Sequence, residues 1–131
     1  MNACVLVIDG YAGFRQAMEY CLSKVGITAL SAESVAEALP LVRKETVDLV
    51  LLDATQSFDG RVAECRAMKT RGEFAKVAIV LLAARVTPQQ VEQACEAGAM
   101  TVLPKLFDWA ELMGCVRRAA AENPSRGPGV P

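Results

Sequence analysis

The chain has 131 residues, 53% of them hydrophobic, with 14 basic and 15 acidic side chains and a net charge of -1. That is the length of one domain with enough apolar material for a core, and it excludes a disordered chain. The balanced charge gives no electrostatic ground for nucleic-acid binding. The absence of any histidine excludes His-based acid–base chemistry, Ser–His and Cys–His nucleophile pairs, His metal ligands and a phosphohistidine carrier.

Along the chain, short apolar runs alternate with helix-length amphipathic stretches. The runs Cys4–Ile8, Asp48–Leu52 and Val77–Leu82 are continuously apolar past their first residues, as in strands buried on both faces of a parallel sheet. Ile27–Leu30 and Thr101–Leu103 are weaker strand candidates. Gly13 to Val25 carries Phe14, Ala17, Met18, Cys21, Leu22 and Val25 at helical spacing, and Gly26 supplies a stop. The second helix opens with Ser34 and Glu37 as a capping box, and Pro40 predicts a kink or an opening of its first turns. The third covers Gly60 to Thr70, with Val62, Cys65 and Met68 inward. Thr87-Pro88 starts the fourth, which closes at Gly98. Asp108 caps the fifth, whose apolar face is Trp109, Leu112, Met113, Val116 and Ala120.

This is β-α repeated five times, and right-handed crossovers then require a parallel sheet with helices on both faces. The expected class is α/β, a flavodoxin-like three-layer sandwich with strand order 2-1-3-4-5. Residues 1–121 form the expected domain and 122–131 a Pro/Gly-rich flexible tail or linker. The five cysteines form no CxxC pair and sit within apolar patterns, so they read as small core residues of a reducing, cytoplasmic protein. No signal peptide and no membrane-spanning run is expected. The basic group Arg61, Arg66, Lys69 and Arg71 reads as a solvated helix face.

Folds of this class place their sites at the C-terminal ends of the strands. The residues there are Asp9 and Gly10, Asp53, Ala83 and Ala84, and Lys105. Two carboxylates and an ammonium at one sheet edge suit phosphoryl transfer to a carboxylate. Asp53 would attack phosphorus, Mg²⁺ would take oxygen ligands, and Lys105 would neutralise charge on the transferred group.

From Ala3 to about Ala120 the chain resembles the receiver domain of two-component response regulators. The matching pieces are VLVIDG (5–10), DLVLLD (48–53), Asp59-Gly60, EAGA (96–99) and LPKLF (103–107). The resemblance implies Asp53 as phosphoacceptor, Lys105 as the lysine that contacts the phosphoryl group, and Asp9 as the first acid of the acidic pair. It implies a weak Mg²⁺ site made of Asp9, Asp53 and the Thr55 backbone carbonyl. It also implies a sensor histidine kinase or other signalling protein as partner, and homodimerisation through the face of the fourth helix, fifth strand and fifth helix (Val86, Gln90, Met100, Val102 and Arg117). No enzymatic activity, nucleic-acid partner or membrane partner is implied for this domain.

The chain departs from the family at four positions. Gly10 replaces the second acid, Ala83 a Ser or Thr, Val102 a switchable aromatic, and Leu106 the proline that follows a cis peptide bond. A non-proline cis bond costs about 3 kcal/mol, so the Lys105–Leu106 loop is either trans and reshaped or strained. Pro104 before the lysine is also unusual, and the Asp53–Gly60 loop is one residue short. The expected protein is therefore a phosphorelay receiver with a degenerate metal site and switch. The alternative is a phosphorylation-independent adaptor that binds other proteins.

Rival readings fit less well. The Gly10–Phe14 loop lacks the hydroxyl cluster of a flavin phosphate loop and is not a GxGxxG. A cobalamin domain needs a histidine. An aspartate-based phosphatase needs a second carboxylate at Thr55.

Overall fold

A computed structural model of the chain describes residues 2–124. The elements run β1 (Cys4–Ile8), α1 (Ala12–Lys24), β2 (Thr28–Ala32), α2 (Val35–Lys44), β3 (Leu49–Asp53), α3 (Phe58–Thr70), β4 (Ala78–Ala83), α4 (Pro88–Glu96), β5 (Thr101–Pro104) and α5 (Trp109–Glu122). The five strands form one parallel sheet in the order β2-β1-β3-β4-β5, as the alternation predicts.

Side chains leave each strand on alternate faces, so one sheet supports two cores. Leu6, Val50, Leu52, Ile79 and Leu81 pack under α2, α3 and α4, with Ala38, Cys65 and Ala94 facing them. Val5, Val7, Leu49, Leu51, Val80 and Leu82 pack under α1 and α5, against Met18, Leu22, Leu112, Val116 and Ala119. Coverage on both sides explains why β1, β3 and β4 read as unbroken apolar runs.

The helix ends follow the local sequence. Ser34, Ser57 and Asp108 accept a backbone N–H with their side chains, and Thr87 and Gln90 form a full capping box. Gly26 and Gly98 adopt φ of 78° and 100° just after α1 and α4, the left-handed turn that ends a helix cheaply at glycine.

Several expectations are corrected. α3 begins at Phe58, two residues early, because Ser57 caps it. α2 is a single helix with Pro40 inside it, so its first turns do not open; Pro40 faces solvent, where water can satisfy the carbonyl that loses its partner. The inward face of α1 is narrower than its spacing suggests: Met18 and Leu22 are buried, whereas Ala17, Cys21 and Val25 lie exposed beside Tyr20. Cys4 and Cys65 are core residues, but Cys21 and Cys95 are exposed. α5 reaches Glu122, and Asn123 behind it is buried; beyond Pro124, the expected tail lies outside the described residues.

Asn123 is buried because it closes a polar network at the N-terminal edge of the sheet. Its amide donates to Asp48 Oδ1 at 2.8 Å and to the Val47 carbonyl at 3.3 Å. Asp48 Oδ2 accepts from the Cys4 backbone N–H at 2.9 Å. One carboxylate therefore ties β1, β3 and the end of α5 together. Removing it takes away the acceptor of two buried hydrogen bonds, from the Cys4 N–H and the Asn123 amide, which costs about 2–3 kcal/mol. Asp48→Ala should lower the unfolding free energy by that amount, and Asn123→Ala by about 1 kcal/mol, both read from urea denaturation.

Candidate functional site

The strand register carries the side chains that matter to one edge. Ile8 pairs with Leu52, Asp53 with Leu82, and Ala83 with Pro104. Asp9, Asp53, Ala83 and Lys105 thus follow one another across the C-terminal ends of β1, β3, β4 and β5. The Lys105 N–H donates to the Ala83 carbonyl at 2.8 Å, which turns the nitrogen of Pro104 to the open edge of the sheet. Proline costs no sheet hydrogen bond there.

Asp9 forms a side-chain turn in which Oδ1 accepts from the Tyr11 N–H at 2.8 Å, a cap for α1 that the Tyr11 side chain does not provide. Arg15 donates to the Asp9 carbonyl at 2.7 Å and reaches Glu33 at 3.7 Å. Asp9 Oδ2 is buried without a hydrogen bond. It faces the Lys105 ammonium at 2.7 Å, an ion pair off the hydrogen-bonding direction.

Asp53 is asymmetric. Its Oδ1 accepts from the Thr55 N–H at 3.2 Å, the Thr55 hydroxyl at 2.8 Å and Lys105 Nζ at 3.3 Å. Oδ2 accepts nothing from the described residues. Thr55 reaches Asp53 through its N–H and hydroxyl; the sequence had singled out its carbonyl.

Lys105 stands between the two carboxylates, its ammonium 4.6 Å from the centroid of the Phe14 ring. Burial pulls its pKa down. The close contact with the Asp9 carboxylate and the charge of Asp53 outweigh that, and the pKa rises above the ordinary lysine value. Phe14 had read as an ordinary core-facing helix residue, and nothing in its spacing reveals the lysine above it.

The four departing positions have clear surroundings. A Cβ on Gly10 would meet no atom within 4 Å. Ala83 and Val102 are core residues, 2% and 4% exposed. Leu106 is 96% exposed, and every described peptide bond is trans, so the loop is reshaped rather than held cis. On the expected partner face, Gln90 is engaged in the α4 capping box, Val86 and Met100 pack against the two cores, and Arg117 is exposed.

A small cavity of about 90 Å³ opens beside the carboxylates, lined by Asp9, Gly10, Glu33, Asp53, Arg61 and Glu64 among others. Arg61 and Glu64, 2.9 Å apart, therefore belong to the site's wall. Arg61 had been read with the solvated basic face.

A lysine whose folded-state pKa is raised stabilises the fold below its unfolded value, near pH 10.4, and loses that contribution as the pH climbs through the folded value. Lys105→Met should cost about 1–2 kcal/mol, because it leaves Asp9 and Asp53 without their shared cation. The gap between wild type and variant should stay constant from about pH 7 to about pH 9 and close above about pH 10.5 in chemical denaturation.

The geometry agrees with comparisons across known proteins. The model of the response regulator receiver domain matches residues 5–117. Sporulation initiation phosphotransferase F of Bacillus subtilis is 29% identical over 90% of this chain and 94% of its own length. Response regulator MprA of a Mycobacterium species is also 29% identical, and the chain spans 56% of it. A response regulator from Thermotoga maritima superposes with a TM-score of 0.77 at 24% identity, over 92% of this chain and 99% of that one. A Burkholderia pseudomallei response regulator with a phosphorylated aspartic acid, a calcium ion and citrate gives 0.72 at 20% identity, over 98% and 77%. At these identities the structural matches show the fold alone. Family match and strand order together place the chain in the response regulator receiver domain family of two-component signalling.

Proposed function

We propose that this receiver accepts a phosphoryl group on Asp53, taken from a sensor histidine kinase or a comparable donor in the cytoplasm. The observation that carries this reading is the asymmetry of Asp53, which lines a cavity: three donors hold Oδ1, while Oδ2 accepts nothing from the described residues. With acetyl phosphate as donor, Oδ2 attacks phosphorus and an O–P bond forms. The P–O bond to acetate breaks, and acetate departs with the electron pair. No proton has to move, which suits a site without histidine. Lys105 is positioned to meet the charge on the incoming oxygens, and Phe14 and Asp9 hold it there. In this reading the domain is a substrate of the transfer and no enzyme.

A Mg²⁺ ion fits this edge weakly. Asp9, Asp53 and the Thr55 carbonyl would hold it, with water at the remaining positions. The ion would neutralise phosphoryl charge. Two observations argue for weakness: the Lys105 ammonium already occupies Asp9 Oδ2, and Gly10 contributes no carboxylate. The Burkholderia protein of this fold carries a phosphorylated aspartic acid and a calcium ion in one structure.

The departures favour a second reading, in which the domain is an adaptor whose signalling does not depend on Asp53. Ala83 has no hydroxyl to follow a phosphoryl group, and Val102 is packed in the core rather than poised to swing. A conformational change needs a group that contacts the ligand differently in two states, and neither side chain offers one. A partner surface for this reading is the α4–β5–α5 face, where Met100, Val102, Gly114 and Cys115 help line a groove of about 380 Å³ along edge strand β5. A second copy of the chain is the expected occupant.

Incubation with acetyl phosphate and Mg²⁺ should add the mass of one phosphoryl group to the wild type and none to Asp53→Asn. Absence of the adduct, with a partner still bound through the α4–β5–α5 face, would favour the adaptor. Gly10→Asp adds a carboxylate into open space and should tighten Mg²⁺ binding by about tenfold, read by titration of Trp109 fluorescence.

A further inference from the structure

The cavity beside Asp53 runs past Gly10 to the first turn of α3. Asp9, Glu33, Asp53 and Glu64 give its wall four carboxylates, and Arg61 is the basic group among the lining residues. Lys105 approaches Asp53 through Oδ1, so the space beside Gly10 is served by Arg61. The guanidinium is parked on Glu64 one helical turn away, Nη1 to Oε1 2.9 Å, with both side chains more than a third exposed. Such a pair is weak, worth under about 1 kcal/mol, and is easily exchanged for a better acceptor. α3 starts five residues after Asp53, which brings its first turn, and Arg61 with it, to the rim of the acceptor site.

We infer that Arg61 is a second phosphoryl-binding cation of this domain, held in reserve by Glu64. This rests on Asp53 being the acceptor. A phosphoryl group on Oδ2 brings close to two negative charges and three acceptor oxygens into the cavity. Against a single carboxylate it is the stronger partner, and the planar fork of arginine matches its oxygens two at a time. Arg61 then leaves Glu64 and turns to the phosphoryl oxygens. Gly10 leaves open the space through which it turns; a carboxylate at that position would compete for the same guanidinium. The charge that a divalent ion would bring is thus supplied by a side chain that is always protonated and needs no coordination shell. Arg61 binds the product group and moves no proton.

The test is binding of fluoroberyllate, a mimic of the phosphoryl group, by ¹⁹F NMR, with EDTA and separately with millimolar Mg²⁺. Wild type should bind in EDTA. Arg61→Ala should weaken that binding by about tenfold or more, the worth of a charge-assisted hydrogen bond. Arg61→Lys should recover part of the loss, and Glu64→Gln, which frees the guanidinium, should bind more tightly than wild type. The side chain of Arg61 is 40% exposed, so these variants keep the fold, and circular dichroism checks it. Binding that Asp53→Asn abolishes but Arg61→Ala leaves within about twofold in EDTA would overturn the role of Arg61 while Asp53 stands as acceptor. No binding by wild type in either buffer would overturn Asp53 as acceptor and this inference with it.

Discussion

The central strands β1, β3 and β4 are covered by helices on both faces, so a charged side chain anywhere between their ends would lose water on every side. Charge is therefore confined to the two edges of the sheet. Parallel pairing then aligns equivalent strand ends, and the C-terminal edge gathers Asp9 and Asp53 within reach of one another's field. Two carboxylates on a poorly solvated edge need a cation. The ammonium of Lys105, arriving on the edge strand β5, meets that need at 2.7 and 3.3 Å. The site is thus a consequence of how the sheet is buried.

The same constraint sorts the departures from the family pattern. Gly10, Ala83 and Val102 each remove a polar or mobile group and leave packing intact: one position opens space, and the other two are filled by side chains fully at home in a core. Nothing in the fold resists these changes, so stability places no barrier against them. None of the three touches the donors around Asp53 Oδ1, which come from Thr55 and Lys105.

Much of this was legible from the residues. The unbroken apolar runs could only be doubly covered strands, and that fixed class, strand order and the positions of Asp9, Asp53 and Lys105 together. Ser34, Thr87 and Asp108 marked helix starts because a side-chain oxygen before an amphipathic stretch has one economical use. What escaped depends on reach across elements. Periodicity places Phe14 on the inner face of α1 but cannot show that a lysine on β5 lies over its ring. Arg61 sits among other basic residues on a helix, and only the cavity distinguishes it from Arg66 and Arg71, which face solvent. The apolar spacing of α1 overstated burial at Ala17, Cys21 and Val25, since two residues per two turns suffice to seat that helix. Asn123 was assigned to a tail by composition, whereas its amide is fixed by a carboxylate that lies remote in sequence.

That carboxylate, Asp48, and Asp53 stand just before and at the end of the same strand, five residues apart, which is about 17 Å of extended chain. Between them are four side chains that are at most 1% exposed. β3 is thereby a stiff strut whose two ends are chemically addressed: one by whatever reaches Oδ2 of Asp53, the other by the amide that fixes where the backbone leaves α5. The strand that ends on Asp53 is therefore also the one whose opposite end, through Asp48 and Asn123, fixes the close of α5.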